Sequence, residues 1–270
     1  MRISPAPVAR QPQPQRWIGI DGCKSGWFAF ELRNGAYRFD CYADLRELFV
    51  TLDWRSRVFI DMPIGLQGNG PSGRDCDRGA RAVLGPRRAS VFATPSRAAL
   101  NASDYAQACS LNRTAVGKAL SLQAFAILPK IRALDVLMCE FPIAKEVVFE
   151  AHPEVCFWAL AGAQPMSGHK RNAAGFAERM AVLAQAWPQA GAMYASAAQW
   201  AKGRGVARDD IVDALVNAIA ATALTHDLRE FPEVAQFDEL GLPMRMAYAV
   251  QANLAVSGTR RCAAQTGIAQ

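Results

Sequence analysis

No Cys-x-x-Cys pair occurs in the 270 residues, although seven cysteines are present. An odd count without that spacing speaks against a zinc knuckle or a disulfide framework, and for reduced, mostly buried thiols in a cytoplasmic protein. A membrane-length apolar run is also missing. The most apolar helix candidate, near 211–225, is interrupted by Asp213 and Asn217, so no membrane span is expected. Residues 1–16 carry Pro, Gln and Arg where a secretion signal would have an apolar core, and 1–15 read as a disordered leader. The phosphate-loop spacing G-x-x-x-x-G-K-[ST] is absent. So is any internal repeat or linker, and residues 16–250 are expected to fold as one α/β domain, with 251–270 a weakly defined tail. Nor is there an acidic excess: 30 basic against 24 acidic residues leave a net charge of +6, which permits a nucleic-acid partner without requiring one.

What the chain does have is acids at the ends of apolar runs. Trp17-Ile18-Gly19-Ile20 ends in Asp21-Gly22, and Val58-Phe59-Ile60 ends in Asp61-Met62-Pro63-Ile64-Gly65. A short apolar run closed by a turn reads as a buried strand, and in an open α/β sheet such an end lies where ligands bind. Asp-Gly is equally the mark of a plain β-turn. A third acid, Glu150, closes Glu146-Val147-Val148-Phe149, with His152 two residues on and thus on the same side of an extended chain. His152 reads as catalytic or structural with equal ease. Glu154 and Asp209 read as charges favouring helix N-termini. Asp210, Asp213 and Asn217 fall on one stripe of an otherwise apolar helix, and Asp213 lies beyond the reach of a cap. Carboxylates brought together from separate elements repel one another and call for a cation.

Coarse periodicity gives strands at 17–20, 27–32 and 37–42, a helix at 43–52 and a strand at 58–61. Residues 62–100, rich in Gly, Pro and Arg, read as a long functional insertion with a short helix near 74–83. Two helices follow over 103–139, broken near 112–117, then a strand at 146–150 and a helix from Pro153. A loop at 162–173 holds Lys170 and Arg171, and helices are expected near 174–187, 191–200 and 209–228. Arg74, Arg78 and Arg81 would share one helix face and, with Arg97 and Lys24, clamp phosphate; a solvated charged face is the competing reading.

Taken in order, Gly19-Ile20-Asp21-Gly22-Cys23-Lys24, Asp61–Leu66, Cys76-Asp77-Arg78, Ser90-Val91-Phe92, Leu120–Gln123, Glu150-Ala151-His152-Pro153-Glu154 and Asp210–Ala214 resemble a family of predicted nucleases in the ribonuclease H-like superfamily, largely catalogued as a domain of unknown function. The resemblance implies a five-stranded mixed sheet flanked by helices, with acids on the first strand, the fourth strand and a late helix. It makes Asp21, Asp61 and Asp213 the metal ligands, with Asp210 close by. Glu150 departs from the simplest pattern and would be an extra ligand or a supporting base.

The expected chemistry is phosphodiester hydrolysis of DNA or RNA with Mg2+ or Mn2+, the cations suited to an all-oxygen site. The alternatives are a phosphotransferase or ATPase of the sugar-kinase and actin superfold, and a non-catalytic nucleic-acid-binding or regulatory module. Oligomeric state is not readable from the chain.

Overall fold

Residues 15–223 and 226–251 are described by the computed structural model. The expected leader (save residue 15) and all but the first residue of the expected tail lie outside them. In chain order the elements are β1 (Arg16–Cys23), β2 (Gly26–Arg33), β3 (Ala36–Tyr42), α1 (Arg46–Phe49), β4 (Ser56–Ile60) and α2 (Asp75–Leu84). Two 3-10 turns, Gly85–Ser90 and Arg97–Asn101, lead to α3 (Tyr105–Val116), α4 (Leu122–Glu140), α5 (Ala144–Val147) and β5 (Val148–Glu150). Then come α6 (Pro153–Leu160), α7 (Ala173–Ala186), α8 (Ala190–Trp200), α9 (Arg208–Thr222), β6 (His226–Phe237) and β7 (Pro243–Gln251).

The strands form one seven-stranded sheet in the order β3-β2-β1-β4-β5-β7-β6. β1, β4, β5 and β7 run parallel, while the β1-β2-β3 meander and the β6–β7 hairpin pair antiparallel. This is a mixed α/β architecture with two strands more than the five expected, because the last described stretch folds as a hairpin.

Strand alternation sorts the core onto two faces. Ile18, Ile20, Val58 and Ile60 point to the side covered by α4, with Leu128, Ile131 and Leu134. Phe28, Phe30 and Phe59 point to the other side, against α6, α8 and α9. Every residue of α9 from Ile211 to Thr222 is buried, as expected of a helix that is apolar all round and covered by other helices. Its closeness to the sheet depends on Gly19. A Cβ there would lie 2.0 Å from the Ala218 nitrogen and 2.1 Å from the Ala214 carbonyl oxygen, so only glycine lets α9 lie directly on β1.

Several expected boundaries move. The helix expected at 43–52 is one turn, α1, flanked by looser turns, and the strand expected from 146 begins at Val148 after α5. The helix expected to run to 228 stops at Thr222, where Ala223 takes a left-handed conformation with φ 39°. The break between α3 and α4 falls at Gly117, which has φ 76° and caps α3. The cysteines among the described residues are free thiols, and Cys23, Cys76, Cys109 and Cys156 are buried.

Candidate metal centre

Asp21 lies two residues beyond Gly19 on β1, so its side chain leaves the sheet on the α9 side. One carboxylate oxygen accepts the Gly22 N–H at 2.8 Å. Asp61 follows β4 directly, its N–H donating to the Ile20 carbonyl at 3.0 Å, which sets the two acids on neighbouring strand ends. Asp213 sits on α9 one turn above the chain's crossing over β1 and is buried. Three elements therefore deliver three carboxylates to the carboxyl ends of the central strands.

Their charges act on one another. Burial holds Asp21 well above the usual carboxylate range, and Asp61, Asp213 and Asp210 each push it further in the same direction, with Lys170 opposing them. Burial likewise raises Asp61, against His152 and Lys170. Asp213 is pushed up to about 6 by burial, with Lys170 holding it down and Asp61 adding to the rise. The Lys170 ammonium reaches Asp213 at 2.6 Å and Asp209 at 3.8 Å. It is the cation nearest this group of acids, and it was legible in the sequence only as part of a loop.

Two cavities open over the strand ends. One, of about 180 Å³, contains Asp21 and Asp61 between the Met62-Pro63 turn and Lys130. The other, of about 460 Å³, contains Asp61 and Asp213 between Arg87 and Lys170-Arg171. Asp61, Phe92, Gln123 and His152 belong to both and form the partition between them. The His152 Nε2 lies 3.2 Å from the Ser90 carbonyl. A carbonyl only accepts, so Nε2 is the donor of this contact, while Nδ1 is buried without a protein partner. Lys130 lies along the Gly22 turn, donates to the Gly26 carbonyl at 2.7 Å and stands 5.0 Å from the Trp27 ring centre.

Glu150 does not join the acids on the α9 side. It is in register with Ile60, so it points to the opposite face. There Arg74 binds it through both carboxylate oxygens at 2.6 and 2.7 Å, and the Ile64 N–H donates to it at 2.8 Å. Arg74 also reaches Asp77 at 2.5 Å. Among the described residues, the group of metal-capable ligand atoms lying within 4.8 Å of one another is Cys76, Asp77 and Glu150. The Arg74 guanidinium already sits among them as their countercharge. Asp21, Asp61 and Asp213 do not draw together within that distance, because they are spread across the two cavities.

The arginines expected to clamp phosphate do other work. Arg74 is 2 % exposed and committed to Glu150 and Asp77. Arg78 is exposed, pairs with Asp75 and lines a separate cavity that holds none of the site acids. Arg81 donates to the Val91 and Phe92 carbonyls at 3.0 and 2.8 Å. Arg97 binds both oxygens of Asp135 at 2.8 and 2.9 Å and also meets Asp238. The shared helix face fails because Arg74 precedes α2 and turns inward to Glu150. Lys24 is exposed and lines neither cavity, while its backbone N–H ties the Asp21 turn to Gly205 at 3.1 Å. The cationic groups that line the acids' cavities are Lys170, Arg171 and Arg87 in the larger and Lys130 in the smaller, where Arg74 also lies but is bound to Glu150 and Asp77.

Asp210 serves partly as a cap, accepting the Ala207 N–H at 2.8 Å, while Asp209 pairs with Arg171 and Lys170. Asn217, last on the stripe, donates to the Ile20 carbonyl at 3.3 Å and so ties α9 to β1 beside Asp21. Glu154 is buried and held by Arg179 at 2.5 Å and by Arg87 at 3.3 Å.

A family model described as "Protein of unknown function (DUF429)" matches residues 19–236. No curated protein and no solved structure matches the chain.

Proposed function

The chain belongs to that family, and from its site we propose that it is a divalent-metal-dependent hydrolase of phosphodiester bonds, a nuclease of ribonuclease H-like architecture. The observation that carries this reading is the mutual charge of Asp21, Asp61 and Asp213, delivered by two parallel strand ends and one helix. The strand run β3-β2-β1-β4-β5, with β2 antiparallel to both its neighbours, supports the same architecture.

The donor chemistry suits a hard cation: all three ligand candidates offer carboxylate oxygen, as Mg2+ or Mn2+ prefers, and a bound ion would have to draw them closer than they stand. Asp21 feels every other acid of the group and is the natural centre of the set. When bound, such a cation would lower the pKa of a water and offset charge gathering on the phosphate. The chain's own residues do the rest. Lys170, Arg171 and Arg87 offer phosphate a cationic wall. His152 lines both cavities beside Asp61, with its Nε2 set 3.2 Å from the Ser90 carbonyl. Arg74 and Glu150 fix the turn that carries Asp61, because Glu150 takes the Ile64 N–H while Arg74 takes the Ile64 and Gly65 carbonyls.

The test is cleavage of labelled single- and double-stranded DNA and RNA, with Mg2+, Mn2+ or EDTA, beside an ATPase assay. Metal-dependent cleavage by the wild type and its loss in Asp21→Asn are expected. Without metal, the asparagine variant should be at least as heat-stable as the wild type, because one of several repelling charges is gone. Nucleotide turnover without strand cleavage would move the assignment to a phosphotransferase or ATPase. Full activity in Asp21→Asn would remove Asp21 from the mechanism.

A further inference from the structure

The two cavities differ in chemistry more than in size. The smaller offers the apolar side chains of Met62, Pro63, Val91, Phe92, Ile127 and Met246 beside charged groups that include Asp21, Asp61, Lys130 and the Arg74–Glu150 pair. At about 180 Å³ it is close to the ~150 Å³ cavity that accepts a benzene ring, so it holds one ring system and not a base pair. The larger cavity carries Arg87, Lys170 and Arg171 opposite Asp61, Asp213 and Glu154, with Arg87 paired to Glu154, Lys170 to Asp213 and Arg171 to Asp209. Asp61 stands where the two meet.

Phe92 is held at that junction by its backbone. Arg81 grips the Val91 and Phe92 carbonyls at 3.0 and 2.8 Å, and two residues on, the Thr94 hydroxyl donates to Asp77 at 3.0 Å. Asp77 is in turn fixed by Arg74. An aromatic ring on a braced loop, half-buried and facing a cavity, loses little freedom when a ligand stacks on it. The Gln123 amide lines both cavities beside it and can pair with a heterocycle's edge.

A flat apolar ring on one side of a carboxylate group and a cationic trough on the other match the two halves of a nucleotide. Resting on the hydrolytic reading of the site, we propose that the substrate is an unpaired nucleotide strand. One nucleobase enters the smaller cavity against Phe92, its phosphate lies at Asp61, and the adjoining backbone runs along Lys170 and Arg171. A continuous duplex does not fit, because its bases stay stacked and paired away from the ring.

The test is fluorescence anisotropy in Ca2+, an oxygen-coordinated divalent cation that offsets the carboxylate charge, with the strands checked by gel for cleavage, using a short labelled thymidylate strand, the same strand paired as a blunt duplex, and an abasic phosphate–spacer strand of equal length. The wild type should bind thymidylate roughly tenfold more tightly than the abasic strand, the scale that base–aromatic stacking supplies, and more tightly than the duplex. Phe92→Ala should lose that preference while binding the abasic strand as the wild type does. Phe92→Tyr should keep it, which separates loss of the ring from loss of folding. Equal affinity for thymidylate and abasic strands, preference for the duplex, or no binding of any strand would overturn the proposal. Base-dependent binding without cleavage in Mg2+ would leave it standing and remove the hydrolytic reading. Equal cleavage of duplex and single strand would do the reverse.

Discussion

Arg74, Glu150 and Asp77 form a buried charged network beneath the smaller cavity. Replacing Arg74 with alanine leaves two carboxylates buried without a countercharge, and the loss should be about 3–5 kcal/mol, measured by urea denaturation. A loss below about 1 kcal/mol would mean that the pair is solvated or adds little. Asp213 gives a prediction with a sign in pH. Its carboxyl is pushed up to about 6 in the folded chain from an ordinary 3.8. A raised folded value means that this group's contribution is fully present at acidic pH and is lost as pH rises through 6. In EDTA, Asp213→Asn should therefore match the wild type near pH 4 and gain on it steadily toward pH 7 in thermal melts. A constant difference across that range would show that Lys170 neutralises Asp213 completely. Residue by residue, the acids were the legible part. Asp21 and Asp61 end apolar runs, and Asp213 breaks an apolar helix, so each stands out against its neighbours. Arg74 was not legible as structural, because an arginine in a Gly-rich segment looks solvent-facing. Its partner Glu150 is 76 residues away, and only the fold joins them. Lys170 and Lys130 were hidden for the same reason: nothing local marks a lysine that will face an acid on another element.

At the scale of elements, the contact between α9 and β1 positions the site. Asp213 is held over Asp21 only as long as the helix backbone lies on Gly19. Gly19→Ala inserts a methyl 2.0 Å from the Ala218 nitrogen, where backbone and not a side-chain tip must give way. The expected cost is about 1–3 kcal/mol or more, together with weaker Mn2+ binding by calorimetry, since the two carboxylates separate. A variant within ~0.5 kcal/mol of wild type, a neutral surface-like change, would contradict this account of the packing. Strands β2 to β4 were readable because Asn-Gly and Asp-Met-Pro turns bound their apolar runs; β1 was readable by its apolar run, but it continues through Asp21-Gly22 to Cys23 and turns at Lys24-Ser25. The β6–β7 hairpin was not. β6 is an edge strand whose sequence is dense in charge and carries Pro232, a residue that argues against a central strand and is tolerated at an edge. The end of α9 was overrun because the apolar sequence continues past Thr222 while the backbone turns at Ala223.

Across the whole molecule, the site draws on distant parts of the chain: β1 and β4 from the first quarter, the braced Phe92 loop, Lys130 from α4, and Lys170 and Asp213 from the last 110 residues of the 270. None of the described helices is long and apolar enough to cross a membrane. The net charge of +6 suits a polyanionic substrate only through where the cations lie, and those facing the acids are few. Salt dependence of strand binding should accordingly be shallow. With about three phosphate contacts, from Lys170, Arg171 and Arg87, the slope of log K against log salt should be roughly −2 for a single strand, and a slope near zero would remove phosphate from the larger cavity. The central claim is that Asp21, Asp61 and Asp213 form one cation site. A crystal soaked in Mn2+ and measured at the manganese absorption edge tests it most directly. The account predicts anomalous density in contact with Asp21 and with Asp61 or Asp213. Density only beside Cys76, Asp77 and Glu150, or none in the cleft at saturating Mn2+, would contradict it.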